Sequence, residues 1–419
     1  MAQAVRRPDA MAALSVPVAM LSANAMSYLL LLAAARMLSK ATYGELLSLL
    51  GVLLVASVPG LAMQTIAARR VAVGAPRGDL VAGTAAVAGA AAALLLLCVP
   101  ALDVFLHLQT PWGILGVVLA LPGITALGTM QGIAQGGRQF VQLTWLTMAT
   151  VSGRSLAGLI GLLLWRSTGA CLLAAAVGVT LAAVLCSRHR EFRVIGRPSR
   201  AHLGEVMFEA LHAAHGHGAF LLVTSIDVLL ARHVLSADAA GVYAAGSVVS
   251  RAALWLPQSV ATLVFASLTD PRRHRRAYAR AVALVAGVGV ITVLGTAVLG
   301  RLAVSVVAGS GYHSLDESMW VFAAVGASLA VLQLSLIAGL ALRRRGRITV
   351  IWALATADAV LVLTLQPDDA AGVARLLAGA AVLAAAVSVS LSLRGRDETL
   401  VTDAAEPQAS PPPGHAPGV

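Results

Sequence analysis

Ala35-Arg36-Met37-Leu38-Ser39-Lys40-Ala41-Thr42-Tyr43-Gly44 has an echo in the second half of the chain: Ala231-Arg232-His233-Val234-Leu235-Ser236-Ala237-Asp238-Ala239-Ala240-Gly241. Arg36 to Arg232 is a shift of 196 residues, Gly44 to Gly241 of 197, and Pro59 to Pro257 of 198. Each copy joins two long apolar runs. A steady offset close to half of 419 residues marks an internal duplication, in which each copy links the first two helices of its half.

Outward from these junctions the whole chain reads as apolar runs at about 11–35, 43–68, 80–101, 112–136, 143–165, 168–187, 204–231, 239–266, 281–304, 318–342, 348–365 and 372–393. Most are near the ~20 residues that an α-helix needs to cross ~30 Å of hydrocarbon. Twelve runs divide into six plus six. Because six is even, both halves enter the membrane from the same side, which predicts a parallel repeat about an axis along the membrane normal. The fold class is therefore an all-α polytopic membrane protein of about twelve transmembrane helices in two six-helix lobes. The expected division is a first lobe over 1–187, a basic linker over 188–203, a second lobe over 204–393 and a disordered tail over 394–419 that contains Pro411-Pro412-Pro413.

Composition excludes most other classes. The chain is 58% hydrophobic and 12% charged, with mean hydropathy +0.85, whereas soluble domains are about 25% charged. Too few charges remain to cover a water-facing surface. Outer-membrane barrels show alternating segments of about ten residues instead. The net charge of +11 is a topology signal and does not imply a nucleic-acid partner. With the N-terminus inside, 22 basic residues fall in cytoplasmic segments, 5 in outer loops and 3 within spans, so both termini are expected in the cytoplasm. Arg6-Arg7 before the first run imitates a signal sequence, but the run is long and an even span count retains it. Cys98, Cys171 and Cys186 lie in apolar runs without metal or redox spacing. Lys40 is the only lysine, and abundant Ala, Gly and Arg fit a GC-rich bacterial genome.

The junctions carry a family resemblance. Leu32-Ala33-Ala34-Ala35-Arg36-Met37-Leu38-Ser39 with Tyr43-Gly44, Ile226-Asp227-Val228-Leu229-Leu230-Ala231-Arg232 with Gly241-Val242-Tyr243-Ala244-Ala245, and Ser250-Arg251-Ala252-Ala253-Leu254-Trp255-Leu256-Pro257 resemble the polysaccharide transporter branch of the multidrug/oligosaccharidyl-lipid/polysaccharide exporter superfamily. The resemblance implies two lobes facing a central cavity and alternating access. It also implies that a lipid-linked oligosaccharide moves from the inner to the outer leaflet of a bacterial plasma membrane. Some relatives carry two more C-terminal helices, and this chain is expected to stop at twelve spans.

Arg154, Arg251 and Arg375 are the arginines within apolar runs. A central Arg costs about 2.5–3.5 kcal/mol on insertion scales and usually faces protein or a wet cavity. A pyrophosphate-linked sugar must cross the same slab, and guanidinium groups bind phosphate in bidentate fashion. Arg154 and Arg251 are accordingly the candidate substrate contacts, set against structural pairing with an acid. Arg375 reads as an interfacial residue near Asp368 and Asp369.

Asp227 shares a helical stripe with Thr224 and His217. It reads as a coupling cation or proton site, a partner for a cavity Arg, or a structural salt bridge, and Asp358 is treated likewise. Asn24, Gln64 and Gln131 are candidate substrate-binding polar groups, each alternatively a hydrogen bond between helices. Gln135 stands one turn from Gln131. His212 and His215 share a face, but no Cys or carboxylate completes a zinc set with them or His217.

Gly128, Gly132 and Gly136 form a stripe, as do Gly153, Ala157 and Gly161, for close helix packing. Pro59 and Pro257 should kink their spans. No catalytic, metal or cofactor motif emerges. The leading expectation is a flippase for a lipid-linked oligosaccharide, with membrane lipid and glycan-assembly proteins as partners. The alternative is a cation-coupled exporter of drugs or small amphiphiles, and a membrane-embedded glycan-assembly enzyme or scaffold is the third reading.

Overall fold

The computed structural model describes residues 10–74, 78–188, 203–255, 274–341 and 347–394. Most of the basic linker, the tail and Pro257 lie outside the described residues. The first half runs α1 (Ala10–Met37), α2 (Lys40–Ala56), α3 (Val58–Ala72), α4 (Gly78–Leu106), α5 (Trp112–Gly136), α6 (Phe140–Trp165) and α7 (Thr168–Arg188). The second runs α8 (Leu203–Val234), α9 (Ala237–Trp255), α10 (His274–Val298), α11 (Gly300–Val307), a 3₁₀ turn (Ser310–Leu315), α12 (Met319–Ala341), α13 (Arg347–Leu365) and α14 (Ala370–Arg394). Every apolar run carries a helix, and no strand occurs among the described residues. Nine of the described spans are long and apolar enough to cross a bilayer.

The junction motif folds the same way twice. Ser39 caps α2, its hydroxyl accepting from the Thr42 amide at 3.2 Å, and the Ser236 hydroxyl accepts from Ala239 at 3.4 Å. The flanking backbone bonds repeat too: Tyr43 N–H donates to Ser39 and Ala240 N–H to Ser236, both at 2.8 Å. A serine that satisfies an orphan amide starts each second helix. The expected kink at Pro59 is a break. α2 ends at Ala56 and α3 restarts at Val58 with proline in its first turn, while the Ser57 hydroxyl donates to the Leu54 carbonyl at 2.6 Å.

Packing order repeats between the halves. In the first, α1 packs on α6, α3 and α6 flank α5 and α7, and α5 packs on α7; in the second, α8 packs on α13, α9 on α12, α12 on α14 and α13 on α14. The molecule is an all-α polytopic bundle of two six-helix lobes related by a parallel repeat. Small residues permit the closest approaches. A methyl group on Gly128, Gly132 or Gly136 of α5 would collide with the carbonyl oxygens of Gly60, Gln64 and Ala68 on α3. Gly153 stands against the Gly178 carbonyl and Gly161 against that of Ala170, both on α7. Leu97, Ile160, Val298 and Leu383 are exposed, an apolar belt that would be unstable in water and suits hydrocarbon.

The lobes meet most closely where the two junctions lie, called here the junction end. There α2 packs on α8 and α9. Toward the opposite end the first half of α8 crosses to the first lobe. Val206 and Ala210 cluster with Met63, Ile66, Ala67, Leu80, Val87 and Ile133, and Glu209 accepts from Arg70 at 3.2 Å and Arg69 at 3.4 Å.

Candidate functional site

Arg251 sits on α9, fourteen residues and hence about 21 Å of helix from its junction-end start. It is half-buried, and the charge acts across the lobe boundary on Tyr28 of α1 and Tyr43 of α2 as well as on Asp227. Among the described residues it makes no hydrogen bond and no ion pair within 4 Å.

Arg154 is the arginine within a span of the first lobe, on a helix that is not the repeat equivalent of α9. On α6, Ser155 reaches α1 through a 3.3 Å contact with Ser27, and Gly153 faces α7. At 100° per residue, Arg154 falls between these faces, opposite the lipid-exposed Leu156, Ile160 and Leu163. It is half-buried and likewise without a hydrogen bond or ion pair among the described residues. Among the described residues, each lobe therefore presents an unpaired guanidinium away from lipid.

Asp227 on α8 and Tyr243 on α9 lie at matching depth, about 10 Å from the turn between their helices, and the Tyr243 hydroxyl donates to one Asp227 oxygen at 3.3 Å. The other Asp227 oxygen is buried without a side-chain partner, as is one oxygen of Asp358. Asp358 on α13 stands close enough to feel the Asp227 charge. Two acids and a tyrosine thus converge inside the second lobe. Asp358 is 6% exposed, and neither carboxylate has an ion-pair partner within 4 Å among the described residues.

The remaining sequence candidates separate. The Gln131 amide donates to the Thr150 hydroxyl at 2.8 Å and to the Leu146 carbonyl at 3.4 Å. Gln64 donates to Gln135 at 3.2 Å. Both amides are thus engaged between helices of the first lobe. Asn24 is half-buried on α1, with no hydrogen-bond partner among the described residues. Arg375 is exposed and pairs with Asp369 at 3.8 Å. His212, His215 and His217 are exposed; His215 stacks on Trp352 at 5.9 Å, and His217 Nδ1 lies 3.0 Å from the Ala213 carbonyl. Among the described residues no group of three or more His, Cys, Asp or Glu could hold a metal ion.

Tyr28 was not singled out in the sequence, and Tyr43 and Tyr243 were noted there only as parts of the junction motifs, without a role. Their signal was depth: Tyr43 and Tyr243 fall within two turns of a junction, level with the polar groups of neighbouring helices. In the turn before α12, burial and then the Asp238 carboxylate push the Tyr312 hydroxyl up to about 12, so it stays neutral against Lys40. An apolar groove of about 790 Å³ opens between α6 and α7 beside Trp112 and Trp165. Its wall residues Ile160, Val177 and Leu181 belong to the exposed apolar belt, so it faces lipid and not the space between the lobes.

No protein-family model and no curated protein sequence matches the chain. Solved structures do. The chain is similar to the lipid II flippase MurJ in an inward closed conformation, with TM-score 0.75 and 11% identity over 91% of this chain and 87% of that one. A multidrug resistance MATE family transporter of the MOP superfamily in its inward-facing conformation gives TM-score 0.70 and 12% identity, covering 95% of this chain and all of that one (100%). An outward-facing MATE family transporter gives TM-score 0.56 at 11% identity, over 90% and 94%. The chain shares the fold of these transporters.

Proposed function

We propose that this protein is a transporter that moves a lipid-linked oligosaccharide, carried on a polyprenyl pyrophosphate, from the inner to the outer leaflet by alternating access of its two lobes. The observation that carries this reading is the pair of half-buried guanidiniums, Arg251 and Arg154, one in each lobe and both unpaired among the described residues. An anionic headgroup crossing hydrocarbon needs fixed cationic donors, and two guanidiniums match a pyrophosphate. In this reading the membrane is the bacterial plasma membrane, and the 22-to-5 bias of basic residues supports cytoplasmic termini with the junction end facing outward. The work is transport without bond-making, in the service of surface polysaccharide assembly and alongside glycan-assembly proteins. Asn24 adds a polar group on α1 with no partner among the described residues, whereas Gln64 and Gln131 serve the site by fixing its walls.

A cation-coupled exporter of drugs or small amphiphiles is the second reading. Asp227 and Asp358, with their partnerless oxygens, favour it, and in either reading Asp227 is the coupling group. Leaflet-resolved transport of a labelled polyprenyl-pyrophosphate sugar in proteoliposomes decides between them. Flipping should fall about tenfold or more in Arg251→Ala and Arg154→Ala, the scale of a lost hydrogen bond to a charged group, and hold in Arg375→Ala. Wild-type flipping in both arginine variants, together with gradient-driven efflux of a cationic dye that Asp227→Asn abolishes, would install the second reading.

A further inference from the structure

We propose that Arg36 and Arg232, the paired arginines of the duplicated junctions, form a reciprocal latch that holds the junction ends of the two lobes together and must release before substrate leaves. The latch rests on the alternating-access reading above. Arg36 leaves α1 in the first lobe, and its Nη2 donates to the carbonyls of Val306 at 2.6 Å and Ser305 at 3.3 Å, in the last turn of α11 in the second lobe. Arg232 leaves α8 in the second lobe and returns the contact. Its Nε donates to the Leu106 carbonyl at 2.9 Å and its Nη2 to that of His107 at 3.2 Å, at the end of α4 in the first lobe. Its Nη1 reaches the Ala41 carbonyl at 3.4 Å.

The accepting carbonyls are counterparts as well. Leu106 to Ser305 is a shift of 199 residues, beside 196 for the arginines. Donor and acceptor are both duplicated, and each lobe gives to the other what it receives, the logic of an isologous contact. The last carbonyls of a helix have no partner within it and carry the negative end of its dipole. The guanidinium of Arg232 spreads its donors over three nitrogens in a rigid plane, a reach that the single nitrogen of an ammonium does not have.

Lesser contacts across the same seam follow the latches. Lys40 Nζ stands 5.6 Å over the Tyr312 ring, Tyr43 meets Tyr312 edge-on at 6.3 Å, and His233 stacks on Phe105 at 4.2 Å. Swinging the junction ends apart breaks all of these at once, and none requires helices to repack within a lobe. The two latches are unequal: Arg232 is 3% exposed, while Arg36 is open to solvent. Water replaces the bonds of Arg36 as they break but reaches those of Arg232 only after separation, so Arg232 dominates.

The test reads the gate without substrate. Spin labels at Thr110→Cys in the first lobe and Glu317→Cys in the second, with the native cysteines replaced, report the junction-end separation of the full chain in lipid nanodiscs. The unaltered junction should give one short distance. Arg232→Ala should raise a longer-distance population at least fivefold, Arg36→Ala should do so to a smaller extent, and the double variant should show the largest rise. Arg232→Lys should raise it as well, by less than Arg232→Ala, and Arg301→Ala, an exposed arginine outside the seam, should change nothing. If Arg232→Ala is not recovered folded, Arg36→Ala and Arg232→Lys carry the test. Distance distributions that match the parent in these variants overturn the latch, even where transport is lost. The transport reading stands or falls separately, on its own assay.

Discussion

Gly44 and Gly241, equivalent positions in the two halves, meet backbone to backbone at the junction end: a methyl carbon on Gly44 would stand 2.9 Å from the Gly241 amide nitrogen. The same motif that encodes the duplication therefore builds the closest approach between its copies. A side chain here must push α2 and α9 apart, and overpacking of this kind costs about 1–3 kcal/mol. Gly241→Val should thus lower the melting temperature in detergent and lengthen the junction-end distance, even with Arg36 and Arg232 intact. An unchanged melting curve and distance would show that the lobes do not close on this pair.

The α3–α5 contact predicts opposite signs for the same substitution. Gly132→Ala places a methyl against the Gln64 carbonyl, whereas Gly89→Ala on α4 meets nothing within 4 Å. The second change gains the roughly 0.5–1 kcal/mol that alanine has over glycine in a helix, and the first loses more than that to the collision. Thermal unfolding should therefore shift down for Gly132→Ala and slightly up for Gly89→Ala. Two shifts of one sign would contradict the packing.

Much of this architecture was legible because a membrane span is a long, one-letter signal. Twelve apolar runs became helices, and the Arg36/Arg232 echo marks the repeat in the sequence itself. Gly128, Gly132 and Gly136 announced a close contact, although which helix they would meet depended on the break at Ser57, which sets α3 against α5. Side-chain partners were less legible, since a polar residue inside a span reads alike whether it faces a cavity or a neighbour. Gln131 and Thr150 are 19 residues apart on different helices and find each other only through the turn between α5 and α6. Tyr243 reached Asp227 for a similar reason, by equal distance from a junction. The carbonyls that receive Arg36 and Arg232 could not be read at all, because every residue carries one.

The acids of the second lobe predict a coupling phenotype. Asp227→Asn keeps the shape and the Tyr243 contact but removes the ionisable group beside Asp358. Transport by this variant should lose its response to an imposed sodium or proton gradient, with the remaining rate the same in the presence and absence of the gradient. Tyr243→Phe removes only the 3.3 Å hydrogen bond and should shift the gradient response several-fold without abolishing it. A gradient response that survives Asp227→Asn intact would assign the carboxylate to helix packing.

Gln131 offers a sharper separation of wall from ligand. Its amide spends donors on Thr150 and Leu146, so its removal should be felt as lost helix–helix cohesion. Interhelical hydrogen bonds in membrane proteins average about 0.6 kcal/mol in double-mutant cycles. Gln131→Leu and Thr150→Val should each lower stability by about that amount, and the double variant by little more than either alone, since both break the same bond. Neither should alter the substrate concentration at half-maximal transport. Additive losses in the cycle would show that the two side chains do not share a bond. A raised half-maximal concentration in Gln131→Leu alone, with stability unchanged, would return this residue to the substrate path, and the inner wall of the first lobe would then have to turn during transport.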